Sequence, residues 1–170
     1  MVGVLGLPDE VHEALRGYLC CEIATVGRDG TALAWPAVPL YLPERGQLLL
    51  TTSIGFPVKA LNIASRPRVS LLFSDATGSG LVEPAAVLVQ GEARIAQGVQ
   101  TWSEDLAAHW QRVMTIQPVS SRFSRTPPVR WFMDWYFMRL LIHVTPHRVL
   151  WWRDQTMTGS PRQLELPRVG

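Results

Sequence analysis

The chain has almost no lysine: fifteen of its sixteen basic residues are arginine, and Lys59 stands alone. Charge of either sign is scarce. Charged residues make up 18% of the sequence, below the ~25% usual for soluble domains. Net charge is +2 and no block of basic residues occurs, so an electrostatic nucleic-acid surface is not expected. Cysteine is limited to the adjacent pair Cys20 and Cys21. That pair provides neither a disulfide framework nor a metal-ligand spacing, and a reduced, cytoplasmic setting is the expectation. The apolar opening stretch ends at Pro8-Asp9 and has no basic leader, so neither a signal peptide nor a membrane span is read there. Phosphate-loop and dinucleotide fingerprints are missing. Gly78-Ser79-Gly80 is not a nucleophile elbow, because Thr77 stands where that motif's first glycine belongs. His143 and His147 are four apart, but Pro146 between them breaks a regular helix, and no metal site is expected.

What is present reads as one domain. Its 170 residues, 47% of them hydrophobic, suffice for a sizeable core. So little charge suggests surface buried against a second copy, and a homodimer is expected. A helix opens at Pro8-Asp9-Glu10, with Val11, Ala14, Leu15 and Tyr18 at helical spacing. Glu22–Val26 reads as a strand, Gly27-Arg28-Asp29-Gly30 as a hairpin turn, and Thr31–Leu42 as a second, edge or bulged strand, because Pro36 and Pro39 cannot donate to a ladder. Gln47–Thr52 is a third strand and Val58–Ser65 a short helix stopped by Arg66-Pro67. Arg68–Phe73 and Ala85–Ala96 are strands, the second bulged at Gly91. Trp102–Ile116 is a helix with Thr101 or Ser103 as cap, 117–128 a loop, Val129–Met138 a short helix, and Arg139–Trp152 contains the last strand. Six hairpin-like strands with inserted helices predict a mainly β (α+β) domain, a closed or half-closed barrel with flanking helices, over residues 1–152. Residues 153–170 read as a polar tail, partly loose.

The most informative stretch runs from Thr51 to Asn62. A hydroxyl-rich strand end, Thr51-Thr52-Ser53, leads through Gly55 into a helix whose first turn carries Lys59. Hydroxyls, free backbone N–H groups and a helix dipole favour an anion there, and Lys59 would add a point charge. The residues alone leave a second reading open, a solvated lysine on an ordinary helix.

Taken in order, several elements resemble the pyridoxamine 5'-phosphate oxidase-like, FMN-binding split β-barrels. They are Asp29-Gly30, Trp35-Pro36-Ala37-Val38-Pro39, the Thr-Thr-Ser strand end, Lys59, Arg66–Leu71, Val89–Ala93 and Val144–Val149. The resemblance implies a six-stranded split barrel whose cofactor site forms at a homodimer interface. It implies that Lys59 binds the cofactor phosphate with hydroxyls such as those of Thr51, Thr52 and Ser53. The strand Trp35, Pro36, Ala37, Val38 would lie along the ring through its backbone, with Gln90 close by. The arginine-histidine tail motif of true pyridoxamine phosphate oxidases is absent, so vitamin B6 oxidation is not expected. Pro57 and Val58 stand where relatives often carry a basic or hydroxyl residue. The function implied is an FMN-dependent oxidoreductase acting on a small molecule, with no catalytic side chain assigned. One alternative keeps the fold but uses a deazaflavin, whose longer anionic tail would favour Arg66 or Arg68. The other is a non-catalytic haem- or ligand-binding module. The tryptophans at 131, 135, 151 and 152 are read as packing residues before ring-stacking ones.

Overall fold

The structure is a computed structural model that describes residues 5–98, 103–116 and 139–167. Helix α1 (Asp9–Gly17) starts at an extended Pro8 and carries Asp9 and Glu10 in its first turn and Arg16 in its last. Each charge opposes the helix dipole at its own end. Val11, Ala14 and Leu15 are buried on one stripe, and the Tyr41 hydroxyl lies 2.8 Å from His12 Nδ1, pinning the helix to the sheet. Eight strands follow: β1 (Cys21–Val26), β2 (Ala32–Ala37), β3 (Leu40–Leu42), β4 (Gln47–Ser53), β5 (Arg68–Phe73), β6 (Ala86–Ile95), β7 (Arg139–Trp152) and β8 (Arg162–Glu165). Between them lie α2 (Val58–Ser65) and α3 (Glu104–Ile116).

Six strands were expected and eight are present among the described residues. The prolines explain one difference. Thr31–Leu42 is not one strand, because the chain leaves the ladder at Val38-Pro39 and re-enters it as β3. The other comes from the segment read as a loose tail, where β8 pairs with Arg148–Trp151 of β7 and Leu166 donates to the His147 carbonyl. The short helix expected over 129–138, and Trp131 and Trp135 with it, fall outside the described residues. Trp151 packs inside, as expected, with its indole N–H donating to Glu10 at 2.7 Å. Glu10 itself stays exposed and also pairs with Arg162 at 3.1 Å.

All pairings are antiparallel, and the strand order is β2-β1-β5-β6-β7-β4-β3. The two ends of that path are consecutive in the chain, joined only by Val38 and Pro39. Two linking residues hold Ala37 and Leu40 within about 11 Å of each other. A sheet whose first and last strands are tethered so closely has to curl, which produces a barrel split between β2 and β3. The main core fills its interior, with Leu48, Leu50, Leu71, Phe73, Val87, Val89, Ile142 and Val144 among its members. Leu49 and Leu141 point the other way, into a smaller cluster with Leu106 of α3. Because β4 is covered on both faces, its Leu48-Leu49-Leu50 run is continuously apolar rather than alternating.

Two devices fix the positions that matter for the cleft. Asn62 of α2 donates to Thr25 Oγ1 at 3.0 Å, and the Arg66 guanidinium donates to the carbonyls of Gly27 and Arg28. Helix α2 is thus fastened to the β1–β2 hairpin, with Lys59 held between. Ser103 caps α3 by accepting from the Leu106 N–H at 3.1 Å.

The expected bulge lies between Gln90 and Gly91. A Cβ at Gly91 would stand 2.5 Å from the Thr145 carbonyl oxygen, a backbone atom in the barrel's most extensive ladder. Gly91→Ala should therefore destabilise the fold by about 1–3 kcal/mol, read as a lower midpoint in urea denaturation. An unchanged midpoint would show that β7 yields freely at Thr145.

Candidate functional site

A two-armed cleft opens at the split. One arm, about 370 Å³, is lined by Trp35 and Pro36 of β2, Thr51–Ser53 of β4, Phe56 and Val58, with Lys59 and Arg139. The other, about 200 Å³, runs toward α3 past Cys20, Ala37, Val38, His109 and Val113. Pro36, Thr51, Lys59 and Arg139 line both and form the waist between them. The larger arm is mostly apolar and falls within the ~300–1,000 Å³ of typical small-molecule sites.

The charge at the waist is one-sided. Among the described lining residues there is no Asp or Glu. Lys59 is half-buried. Burial chiefly, opposed by the Cys21 side chain and aided to a smaller degree by the Arg139 guanidinium, holds its ammonium below the usual lysine range. Among the described residues Lys59 makes no hydrogen bond and no ion pair. Arg139 begins β7 and stacks its guanidinium over the Trp110 ring at 4.9 Å.

The hydroxyls are arranged differently from the expectation. Thr52 donates to the Phe56 carbonyl at 2.9 Å, and Ser53 Oγ accepts from the Gly55 N–H at 3.2 Å. Both side chains are buried, and these bonds close the glycine loop. Thr51 instead meets His109 of α3, Oγ1 to Nε2 at 2.9 Å. His109 is only 3% exposed, and its Nδ1 finds no hydrogen-bond partner among the described residues. Burial, then Arg139 and Arg112, push its pKa down to about 4, so the imidazole is neutral at pH 7.

No family model matches the chain and no curated protein matches it. Solved structures do resemble it along nearly its whole length. One is a protein of Clostridium acetobutylicum related to general stress protein 26, of the pyridoxinephosphate oxidase family. It is 11% identical, with 92% of each chain covered and a TM-score of 0.61. An F420 reductase is 17% identical over 84% of this chain and 98% of its own, with a TM-score of 0.53. A heme binding protein of Mycobacterium smegmatis is 19% identical over 94% of this chain and 59% of its own, with a TM-score of 0.57. The chain has the split-barrel fold of the pyridoxamine 5'-phosphate oxidase-like proteins. At these identities the fold is what is shared.

Within this split barrel, Lys59, Thr51, Thr52, Ser53, Trp35, Pro36, Ala37 and Val38 all line the cleft. Gln90 does not. It lies on β6, opposite Ser70 and Arg148. Arg66 is engaged with the hairpin carbonyls, and neither it nor Arg68 lines an arm. Among the described residues no group of metal-binding side chains forms, and no helix is long and apolar enough to cross a membrane.

His109 and Arg139 were not visible as site residues in the sequence. His109 sits on the Leu106–Val113 stripe of α3, where a lone histidine looks like core. Arg139 looks like the polar start of an apolar strand. The only signal for the arginine is a charge heading such a buried strand.

A buried neutral histidine has a pH signature. Its folded pKa lies below its unfolded one, so its contribution to stability is present above about pH 6.5 and fades as pH falls toward 4. At pH 5 the loss is on the order of 2 kcal/mol relative to pH 7. His109→Gln should flatten that part of the stability–pH curve in urea titrations at pH 7 and pH 5. An equal acid sensitivity in the variant would place the titrating group elsewhere.

Proposed function

We propose that the cleft binds FMN and that the protein is a small homodimeric oxidoreductase. The observation that carries this is Lys59, a desolvated cation without a hydrogen-bond or ion-pair partner among the described residues, at the waist of a cleft that no described carboxylate lines. Burying such a charge is unfavourable unless an anion meets it. The apolar arm beside it offers Trp35 and Phe56 to a flat ring. Pro36 contributes no N–H, which leaves carbonyls and the neighbouring backbone to face a ligand's edge. The residues therefore fit the cofactor, with Lys59 for the phosphate and Trp35–Val38 along the ring. When bound, the flavin would supply the two-electron chemistry. The protein's part is to bind it, orient it and exclude water. The hydroxyls of Thr52 and Ser53 shape the loop rather than reach for the phosphate.

The alternatives have less support. Arg66, offered for a deazaflavin tail, already holds the β1–β2 turn. His109, the one histidine lining the cleft among the described residues, has Nε2 bonded to Thr51 and sits almost wholly buried, a poor disposition for a haem ligand.

A second copy would cover Phe56 and Val58, which line the cleft and stand 64% and 48% exposed, and Leu61, one turn further along α2 and 54% exposed. Light scattering at micromolar concentration should give a dimer mass, and Leu61→Arg should shift it toward the monomer. A monomer mass for the wild type overturns the assembly.

Lys59→Ala should weaken FMN ten- to a hundredfold by calorimetry, as expected for a charge-assisted bond of about 1.5–3 kcal/mol. Riboflavin, without the phosphate, should bind both proteins equally. FMN binding of unchanged strength in the variant would remove Lys59 from the site.

A further inference from the structure

We propose that the smaller arm of the cleft is a separate subsite for an uncharged small molecule carrying a carbonyl oxygen, and that the Thr51 hydroxyl, held by His109, is the donor that meets it. The proposal rests on the reading of the cleft as a ligand site and adds to it a second ligand class and two residues.

The arm encloses about 200 Å³, roughly seven waters at their ~30 Å³ share of liquid volume. That lies below the ~300–1,000 Å³ of drug-sized ligands and suits a molecule the size of a small cyclic ketone. Ala37, Val38 and Val113 make part of its surface apolar. No described lining side chain is a carboxylate or a carboxamide, so the side chains of the arm offer donors before acceptors. Desolvation keeps the Cys20 thiol protonated, a weak donor on the same wall.

His109 decides what Thr51 can do. Thr51 Oγ1 and His109 Nε2 are 2.9 Å apart. The imidazole is almost wholly buried, and its Nδ1 has no hydrogen-bond partner among the described residues. A neutral ring carries a single N–H. On Nδ1 it would be a buried donor without an acceptor, a rarer and costlier defect than an unpaired acceptor lone pair. The proton therefore belongs on Nε2, which donates to Thr51 Oγ1. Thr51 is then the acceptor in that bond, and its own hydrogen has to point elsewhere. Thr51 makes no other side-chain hydrogen bond among the described residues, and it lies half-buried on the wall that both arms share. Its O–H is thus a preset donor left to the cleft. The Thr52 hydroxyl, by contrast, is consumed by the Phe56 carbonyl.

Nitrogen chemical shifts of the His109 ring, measured by long-range nitrogen–proton NMR on the full chain at pH 7, read the tautomer directly. A protonated Nε2 beside a bare Nδ1 is expected, and the opposite assignment overturns the proposal. Cyclohexanone is the ligand probe, and methylenecyclohexane is the control of the same shape without the oxygen. In the wild type, cyclohexanone should shift the backbone amides of Val38 and Val113. Thr51→Val should weaken cyclohexanone roughly three- to tenfold, as for one neutral hydrogen bond, and leave methylenecyclohexane unchanged. Thr51→Ser should keep most of the affinity. His109→Leu should weaken cyclohexanone as Thr51→Val does, whereas His109→Gln keeps a donor near the Nε2 position and should retain most of the binding. Circular dichroism melting checks that the variants fold, and the tautomer, read on the wild type, decides whatever a variant does. Equal loss of both probes in a folded Thr51→Val, or loss of neither, overturns the donor. Cyclohexanone that shifts neither amide, or that FMN displaces, overturns the separate subsite. So does a Thr51→Val that weakens FMN and spares riboflavin, since the hydroxyl would then serve the phosphate. If FMN does not bind but cyclohexanone follows Thr51, the flavin reading falls and the subsite stands. If FMN binds and depends on Lys59 while cyclohexanone ignores Thr51, the reverse holds.

Discussion

A link of two residues governs this molecule. Val38 and Pro39 tie the first and last strands of a seven-strand path to each other, and the sheet can satisfy that tether only by curling. Pro39 provides no donor to carry a ladder across the gap, so the curl ends in a split instead of a closed cylinder. The cleft is that split. Strand β2 forms one wall, β4 and the start of β7 the other, and α2 and α3 close the ends. Cleft and fold therefore have the same origin: the break that prevents closure is the one that opens the cleft.

The electrostatics depend on the same geometry. Among the described residues, Arg66 is spent on the carbonyls of the β1–β2 hairpin and Arg112 on those of Arg16 and Tyr18. Lys59 and Arg139 line a half-buried waist without a carboxylate among its described lining residues. Two neighbouring elements make that tolerable. Asn62 and Arg66 hold α2 in place from behind, and Trp110 supports Arg139. The cost of leaving positive charge partly desolvated is thus offset by rigid packing around it.

The sequence by itself determined a good deal. Periodicity and turn chemistry placed α1, α2, β5 and the Gly91 bulge, because each is signalled by neighbours within a few residues: Pro8 and the acidic first turn, Arg66-Pro67 as a stop, a glycine inside the apolar run of β6. The lone lysine after a Thr-Thr-Ser strand end was equally legible, since composition makes it conspicuous and local order puts it at a helix start. Tertiary structure decided the rest. Whether Thr52 and Ser53 face a ligand or their own loop depends on how the glycine turn closes. That β8 joins β7 depends on an edge left open beyond β4. His109 and Arg139 reach Lys59 from positions 50 and 80 residues away in sequence, through a barrel curl and a helix docking that no local pattern records. Short-range preferences are written residue by residue, whereas the meeting of distant side chains follows from the packing of the whole sheet.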